Sequence, residues 1–170
     1  MLNRNSQIMK LASTFLALFS IVLTSCTPPP IEEGAFFESN EALLQSATMV
    51  EIELLELVNS HRESLGLSIL ENNAEAYISA NEHNAYMIAQ GKISHDRFDS
   101  RASNLASETG AILIKENVAK SYVTAEKALD GWLNSTPHRN TIEGDFTHTG
   151  VGVVADEEGK LYFTQLFFKK

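Results

Sequence analysis

The chain has 170 residues, a formal net charge of −9 at pH 7 and a single cysteine. Its acidic balance disfavours nucleic acid and anionic lipid surfaces as partners, because both carry negative charge. Once the N-terminal segments described next are set aside, about 130 residues remain, enough for one domain with a real core.

The first 25 residues have the layout of a signal peptide. Arg4 and Lys10 precede the apolar run Leu11–Leu23, and no acidic residue lies between them. A transmembrane anchor is the alternative, but the run is shorter than the ~20 residues that a spanning helix needs. We therefore predict that residues 1–25 are a cleaved signal peptide.

Cys26 follows Leu-Thr-Ser, the small-residue pattern of a bacterial lipoprotein cleavage site. Cleavage without lipidation is the alternative, but the lone cysteine at this position favours acylation of Cys26, which would hold the protein on a membrane. We expect an extracytoplasmic lipoprotein of the outer membrane or cell surface, with no disulfide in its domain. Residues 26–48 are predicted to form the lipidated N-terminus and a proline-rich tether with room for a short helix.

Residues 49–170 are predicted to form the domain, beginning with helices. Apolar residues keep a helical spacing up to Gly66, although the pattern leaves open whether one helix or two precede it; Val50–Leu65 is the clearest part. Its glutamates are predicted to face solvent for the most part; they are Glu51, Glu53, Glu56 and Glu63. A second helix is predicted from Asn73 to Gln90, ending at Gly91. We expect His83 on this helix to be hydrogen-bonded in or near the core and His61 on the first helix to face water.

The second half mixes helices with strands. A short helix over 100–109, a β-branched run at Ala111–Ile114 and a helix from Thr124 to about Asn134 are predicted. Two final strands, Gly150–Ala155 and Leu161–Phe168, are joined by an acidic, glycine-containing hairpin. Both faces of the last strand are partly apolar, so that strand is predicted to be central or covered on both sides. The order of elements predicts an α+β sandwich with a small antiparallel sheet.

Four short motifs carry a family resemblance. They are Leu57–Arg62 with Gly66-Leu67 just after it, the Glu-Asn-Val-Ala segment at 116–119, Trp132–Arg139, and Thr147–Gly152. Together they resemble the CAP superfamily, also called the SCP-like or cysteine-rich secretory protein family, in its bacterial form, over roughly residues 50 to 168. The resemblance implies a three-layer α-β-α sandwich.

The resemblance also implies a cleft lined by two histidines and two acidic residues. Matched motif to motif, three of these positions fall on His95, Glu116 and His138, and the fourth is Ser135, where many relatives have glutamate. Two imidazoles and a carboxylate are the ligand set of an open zinc site, although no His-x-x-x-His spacing fixes two of them together. The alternative is a structural network in which Glu116 accepts hydrogen bonds from both imidazoles.

A serine hydrolase is a further alternative, with Ser135 as nucleophile, His138 as base and Glu116 as its orienting partner. Pro137 lies between the first two and bends the backbone, and no Gly-x-Ser-x-Gly elbow is present. Arg139 is predicted to pair with Asp145 or Glu143, and the Asn117 amide to tie down strand and loop backbone.

The function predicted from the sequence is that of a monomeric, membrane-anchored CAP-domain lipoprotein. Its cleft would bind a lipid, a glycan, a protein or a divalent metal such as Zn²⁺, without established catalysis. The alternative is a metal-assisted hydrolase or peptidase acting on the cell envelope or on extracellular proteins.

Overall fold

The structure is a computed structural model that describes residues 33–170. The described helices are α1 (Glu33–Ser64), α2 (Ala74–Gln90), α3 (Phe98–Thr109), α4 (Ala125–Leu133) and α5 (Thr136–Ile142). The described strands are β1 (Glu71–Asn72), β2 (Leu113–Lys120), β3 (His148–Ala155) and β4 (Leu161–Lys169). Cys26 and the predicted signal peptide lie outside the described residues, as does the tether up to residue 32. None of the helices within 33–170 is both long and apolar enough to cross a membrane.

The strands form one sheet in the order β1-β3-β4-β2. β4 runs antiparallel to both of its neighbours, and it is central, as its two apolar faces predicted. β1 pairs parallel with β3 through only two residues, Glu71 and Asn72. β3, β4 and β2 form the small antiparallel sheet that the sequence predicted, and the parallel pair with β1 makes the whole sheet mixed. A two-residue strand is too short to produce a periodic pattern in the sequence.

The sheet separates two helical layers, which confirms the α-β-α sandwich. Phe163 and Phe167 of β4 belong to a core shared with residues of α1, α4 and α5. Leu166 and Phe168, which alternate with them along the strand, pack with Ala76 and other residues of α2 and α3. Because successive side chains of a strand point to opposite faces, one alternating strand supplies the core of both layers.

The predicted helix ends are confirmed where a polar side chain or a glycine marks them. The Asn73 side chain accepts a hydrogen bond from the Ala76 N–H at 2.9 Å at the start of α2, and Gly91 ends that helix at φ 67°. The Thr124 side chain caps α4 in the same way. Helix α1 is continuous and crosses the expected boundary between residues 48 and 49. Glu51, predicted among the solvent-facing glutamates, is instead buried at 8% exposure.

The two glycines of β3 allow α2 to lie directly against the sheet. A Cβ at Gly150 would stand 2.2 Å from the Tyr77 backbone nitrogen, and one at Gly152 would stand 2.7 Å from the Asn81 amide oxygen. These separations are far below van der Waals contact, so the Gly-x-Gly of the Thr147–Gly152 motif is a packing requirement of this layer.

We predict that Gly150→Ala lowers the free energy of unfolding by about 1–3 kcal/mol, because α2 must move away from β3 to admit the methyl group. Urea denaturation of the variant and the unmodified chain measures the difference. A change within about 0.5 kcal/mol would mean that the close approach of α2 is not maintained in solution.

Candidate functional site

The candidate site lies at the free edge of the sheet formed by β2, where α3, α5 and the loop after α2 meet. At its centre is Glu116, a β2 residue whose side chain is 1% exposed. Arg101 of α3 binds this carboxylate with two nitrogens: Nε donates to Oε2 at 2.9 Å, and the terminal Nη2 donates at 2.7 Å to Oε2 and at 2.9 Å to Oε1. A forked guanidinium on a buried carboxylate satisfies both charges at once. Glu116 is therefore already neutralised within the protein.

His95 donates a further hydrogen bond to the same carboxylate. Its Nδ1 lies 2.9 Å from Glu116 Oε1, and its side chain is 53% exposed. Since an ionised carboxylate only accepts hydrogen bonds, Nδ1 carries a proton, and Nε2 makes no hydrogen bond to any residue within 33–170. Glu116 thus fixes the orientation of an imidazole whose other nitrogen is available to a ligand.

His83 of α2 lies beneath this pair and closes the site from the core. Its Nε2 donates to the Ser94 carbonyl at 2.7 Å and lies 3.9 Å from Glu116 Oε1. Its Nδ1 is buried and has no hydrogen-bond partner among the described atoms. Burial lowers the pKa of His83, because a second proton on Nδ1 would have nothing to bind. The prediction of a hydrogen-bonded core histidine is confirmed for this residue.

His138 reaches the site from the other helical layer. It lies on α5, which the Asn117 side-chain amide holds to β2 by donating to the His138 carbonyl at 3.1 Å. One strand position further, Trp132 Nε1 donates to the Val118 carbonyl at 3.2 Å and anchors α4. Desolvation by burial lowers the pKa of His138, and repulsion from the His95 imidazole lowers it further. The predicted role of Asn117 in tying down backbone is confirmed.

Ser135 is the nucleophile of the serine hydrolase alternative. Ser135 stands at the N-terminus of α5, and Pro137 lies in the first turn. Proline suits this turn because N–H groups there have no hydrogen-bond partner within the helix. Within residues 33–170, no hydrogen bond joins the Ser135 hydroxyl to the His138 ring, and Glu116 orients His95 rather than His138. The geometry therefore gives no support to the serine hydrolase alternative.

The donor set does not fit the three-ligand zinc site either. The described part of the chain contains no group of three or more His, Cys, Asp or Glu side chains placed to hold a metal ion. Both oxygens of Glu116 are bound by Arg101, and a guanidinium beside a cation is electrostatically unfavourable. His95 and His138 remain as two imidazoles without a third ligand. Zn²⁺ binding at His95, Glu116 and His138 stays an untested prediction that this arrangement does not favour.

Two side chains, those of His61 and Arg139, make contacts that the sequence did not predict. His61, expected to face water, has its Nε2 3.0 Å from a Glu143 carboxylate oxygen. Arg139, expected to bind Glu143 or Asp145, instead donates to the Leu133 carbonyl at 3.3 Å. Those carboxylates are engaged elsewhere, Glu143 by His61 and Asp145 by Lys169. Sequence proximity was the only guide to the predicted pairs, and it carries no information on partners supplied by α1 and β4.

The depressed pKa of His83 predicts how stability depends on pH. A histidine whose pKa is lower in the folded than in the unfolded state, where it is about 6.5, contributes stability above that value and loses it as the pH falls further. We expect the free energy of unfolding to decrease between about pH 7 and pH 5, with His138 acting in the same direction. In His83→Gln, whose amide can still donate to the Ser94 carbonyl, this decrease is expected to be smaller. Parallel pH curves for the two proteins, from urea denaturation at each pH, would contradict the assignment.

The chain matches known proteins over the region that builds this site. The profile of CAP, the cysteine-rich secretory protein family, matches residues 55–167. The uncharacterized membrane protein YlbC of Bacillus subtilis is 33% identical over 138 residues, covering 78% of this chain and 38% of that protein. The uncharacterized protein YkwD of the same organism is 32% identical over 133 residues, covering 74% of this chain and 49% of that protein. The chain thus spans less than half the length of either relative.

Solved structures agree on the fold. A protein containing an SCP domain, described as extracellular, from Bacillus anthracis superposes with a TM-score of 0.64 at 28% identity, covering 73% of this chain and 41% of that one. A cysteine-rich secretory protein of Staphylococcus aureus superposes with a TM-score of 0.64 at 19% identity, covering 73% and 39%. An outer surface protein of Borrelia burgdorferi gives 0.62 at 21% identity, covering 69% and 90%. The profile match and the curated relatives together establish that the chain belongs to the cysteine-rich secretory protein (CAP) family.

Proposed function

We propose that this chain is an extracytoplasmic, lipid-anchored CAP-domain protein whose cleft at His95, Glu116 and His138 binds a hydroxyl-bearing ligand of the cell envelope, a glycan. The observation that carries the proposal is the Arg101–Glu116–His95 network. It neutralises the buried carboxylate and holds a half-exposed imidazole by its Nδ1.

Fixed imidazoles suit hydroxyl groups, because a neutral ring nitrogen accepts from an O–H and a ring N–H donates to an oxygen. The surroundings of His95 are polar. Tyr86 donates to Asp96 at 3.3 Å, and the Arg97 guanidinium stacks 4.8 Å above the Tyr86 ring. A lipid tail would require an apolar surface here, so among a lipid, a glycan and a protein the chemistry favours the glycan.

The extracytoplasmic location rests on the signal-peptide pattern and on the relatives. One curated relative is named a membrane protein, and one solved neighbour is described as extracellular. Acylation at Cys26 would place the cleft outside the membrane to which the chain is anchored. Radiolabelled palmitate incorporated by the full chain but not by Cys26→Ala supports the anchor, and equal labelling of both would remove it.

The binding proposal is tested by titrating the full chain, held in zwitterionic nanodiscs, with the N-acetylglucosamine–N-acetylmuramic acid disaccharide of bacterial cell walls. Affinity is expected to fall at least about tenfold in His95→Ala and in His138→Ala. The matched control is His61→Ala, whose ring binds Glu143 outside the cleft and whose loss is expected to leave affinity unchanged. No binding by the unmodified chain, or equal affinity in all three variants, would refute the cleft as a glycan site.

A metal-assisted hydrolase is the second candidate, although Arg101 on the Glu116 carboxylate disfavours a metal ion there. One observation favours it: a carboxylate that orients an imidazole through Nδ1 is also how proteins position a metal-binding or basic histidine. Zinc calorimetry separates the two functions. If His95→Ala and His138→Ala release the same heat as the unmodified chain, zinc does not bind at the cleft and the hydrolase is excluded.

A further inference from the structure

A second concave surface lies along β3, at the opposite edge of the sheet from the cleft. This groove has a volume of about 1100 Å³ and is lined by residues of α1, α2 and the hairpin that follows β3. It exists because β1 covers β3 only at His148 and Thr149. From Val151 to Ala155, the outer edge of β3 pairs with no other strand of the described sheet.

A buried carboxylate forms the floor of the groove. Glu51 of α1 is 8% exposed, and its Oε1 accepts from the Val153 backbone N–H at 2.8 Å. Tyr77 and Asn81 of α2 flank it and favour its charged form, but desolvation outweighs them and raises its pKa. No Lys, Arg or His is among the described residues that line the groove, so this charge has no cationic partner there. A buried anion without a counter-ion is a costly arrangement.

The walls and the rim of the groove differ in chemistry. Leu44 of α1 and Ile78 of α2 line the walls, and they are 68% and 56% exposed. Three further acidic residues lie at the rim: Glu82, Asp156 and Glu157. An apolar channel with a negative floor and a negative rim complements a molecule that has an apolar body and a positive group.

We propose that this groove binds a cationic amphiphile, with its ammonium group on the Glu51 carboxylate and its apolar chain between Leu44 and Ile78. An extended basic peptide added to β3 fits less well. The Val153 N–H that such a strand would need is already occupied by Glu51, which is how proteins protect an open sheet edge. The volume of about 1100 Å³ lies just above the roughly 300–1,000 Å³ typical of small-molecule pockets, so the groove has room for such a ligand.

The test uses hexylammonium as the probe and the full chain in zwitterionic nanodiscs, with the backbone amide resonance of Val153 as the readout. Hexylammonium is expected to shift this resonance saturably, whereas hexanoate and hexanol of the same chain length are not. Glu51→Gln is expected to weaken binding at least about tenfold, because the amide keeps an acceptor for Val153 but carries no charge. Ile78→Ser, at an exposed position, is expected to weaken it without loss of folding.

The matched control is Glu53→Gln, the same substitution at an exposed position of α1 that does not line the groove. Its affinity is expected to equal that of the unmodified chain. Three outcomes would overturn the proposal: no saturable shift with up to about 10 mM hexylammonium, equal binding of hexanoate, or unchanged affinity in Glu51→Gln. A dissociation constant above about 10 mM would be too weak for specific binding. If a basic peptide shifts the Val153 amide resonance and hexylammonium does not, the groove binds a peptide strand and not a cationic amphiphile.

Discussion

Replacing Arg62 with methionine is expected to lower the free energy of unfolding by at least about 3 kcal/mol. Arg62 is 1% exposed and sits in the last turn of α1. Its guanidinium donates to four backbone carbonyls, those of Ser68, Ile142, Gly144 and Phe146, at distances from 2.6 to 3.3 Å. Methionine keeps an unbranched apolar stem but leaves these buried acceptors without a donor, and each unsatisfied group is costly.

Urea denaturation with and without the substitution measures this loss. Arg139→Met is the matched control, since Arg139 is exposed and donates only one long hydrogen bond, to the Leu133 carbonyl. We expect it to change stability by no more than about 0.5 kcal/mol. Equal effects of the two substitutions would show that Arg62 does not hold the segment between α5 and β3 to α1.

The second large effect is expected at the Glu116–Arg101 pair. Glu116→Leu removes one partner and leaves the guanidinium of Arg101, 12% exposed, without its carboxylate, so we expect a loss of about 3–5 kcal/mol. The double variant Arg101→Leu with Glu116→Leu is expected to recover about 2 kcal/mol relative to Glu116→Leu, because apolar residues can replace a buried pair at little cost.

A double-mutant cycle by urea denaturation gives the coupling energy of the pair. Glu108→Gln, on the exposed surface of α3, controls for the loss of one acidic residue from the chain. Effects of the two single substitutions that simply add in the double variant would mean that the ion pair is not formed in solution.

The layers were predictable because they depend on local periodicity. The alternation of β4 placed Phe163 and Phe167 on one face and Leu166 on the other, and the structure buries all three. Helix ends were predictable where Asn73 or Thr124 caps the backbone. The two-residue β1 and the register of the sheet were not, since pairing is decided by contacts between segments far apart in the chain.

The candidate site was predictable only in part. The motifs led to His95 and Glu116, and the structure places them in hydrogen-bond contact, while their role in binding stays a prediction. Arg101 was missed. It reaches Glu116 from α3, which starts at Phe98 after Arg97 in a left-handed conformation, φ 60°. Side-chain type and spacing carry no signal for that backbone geometry.

Glu51 was mispredicted for a related reason. In a helix rich in glutamates, residue type favours solvent exposure for all of them. The tertiary structure instead brings the unpaired edge of β3 against α1, and Glu51 accepts the Val153 N–H at 2.8 Å. A buried carboxylate of this kind is recognised only when the strand order is known.

The most direct test of the cleft is NMR spectroscopy of the histidine rings while the cell-wall disaccharide is added to the full chain. We expect saturable shifts of the His95 and His138 imidazole resonances, with those of His61 and His148 unmoved. Shifts confined to His61 or His148, or none at His95 while binding is detected by calorimetry, would contradict it.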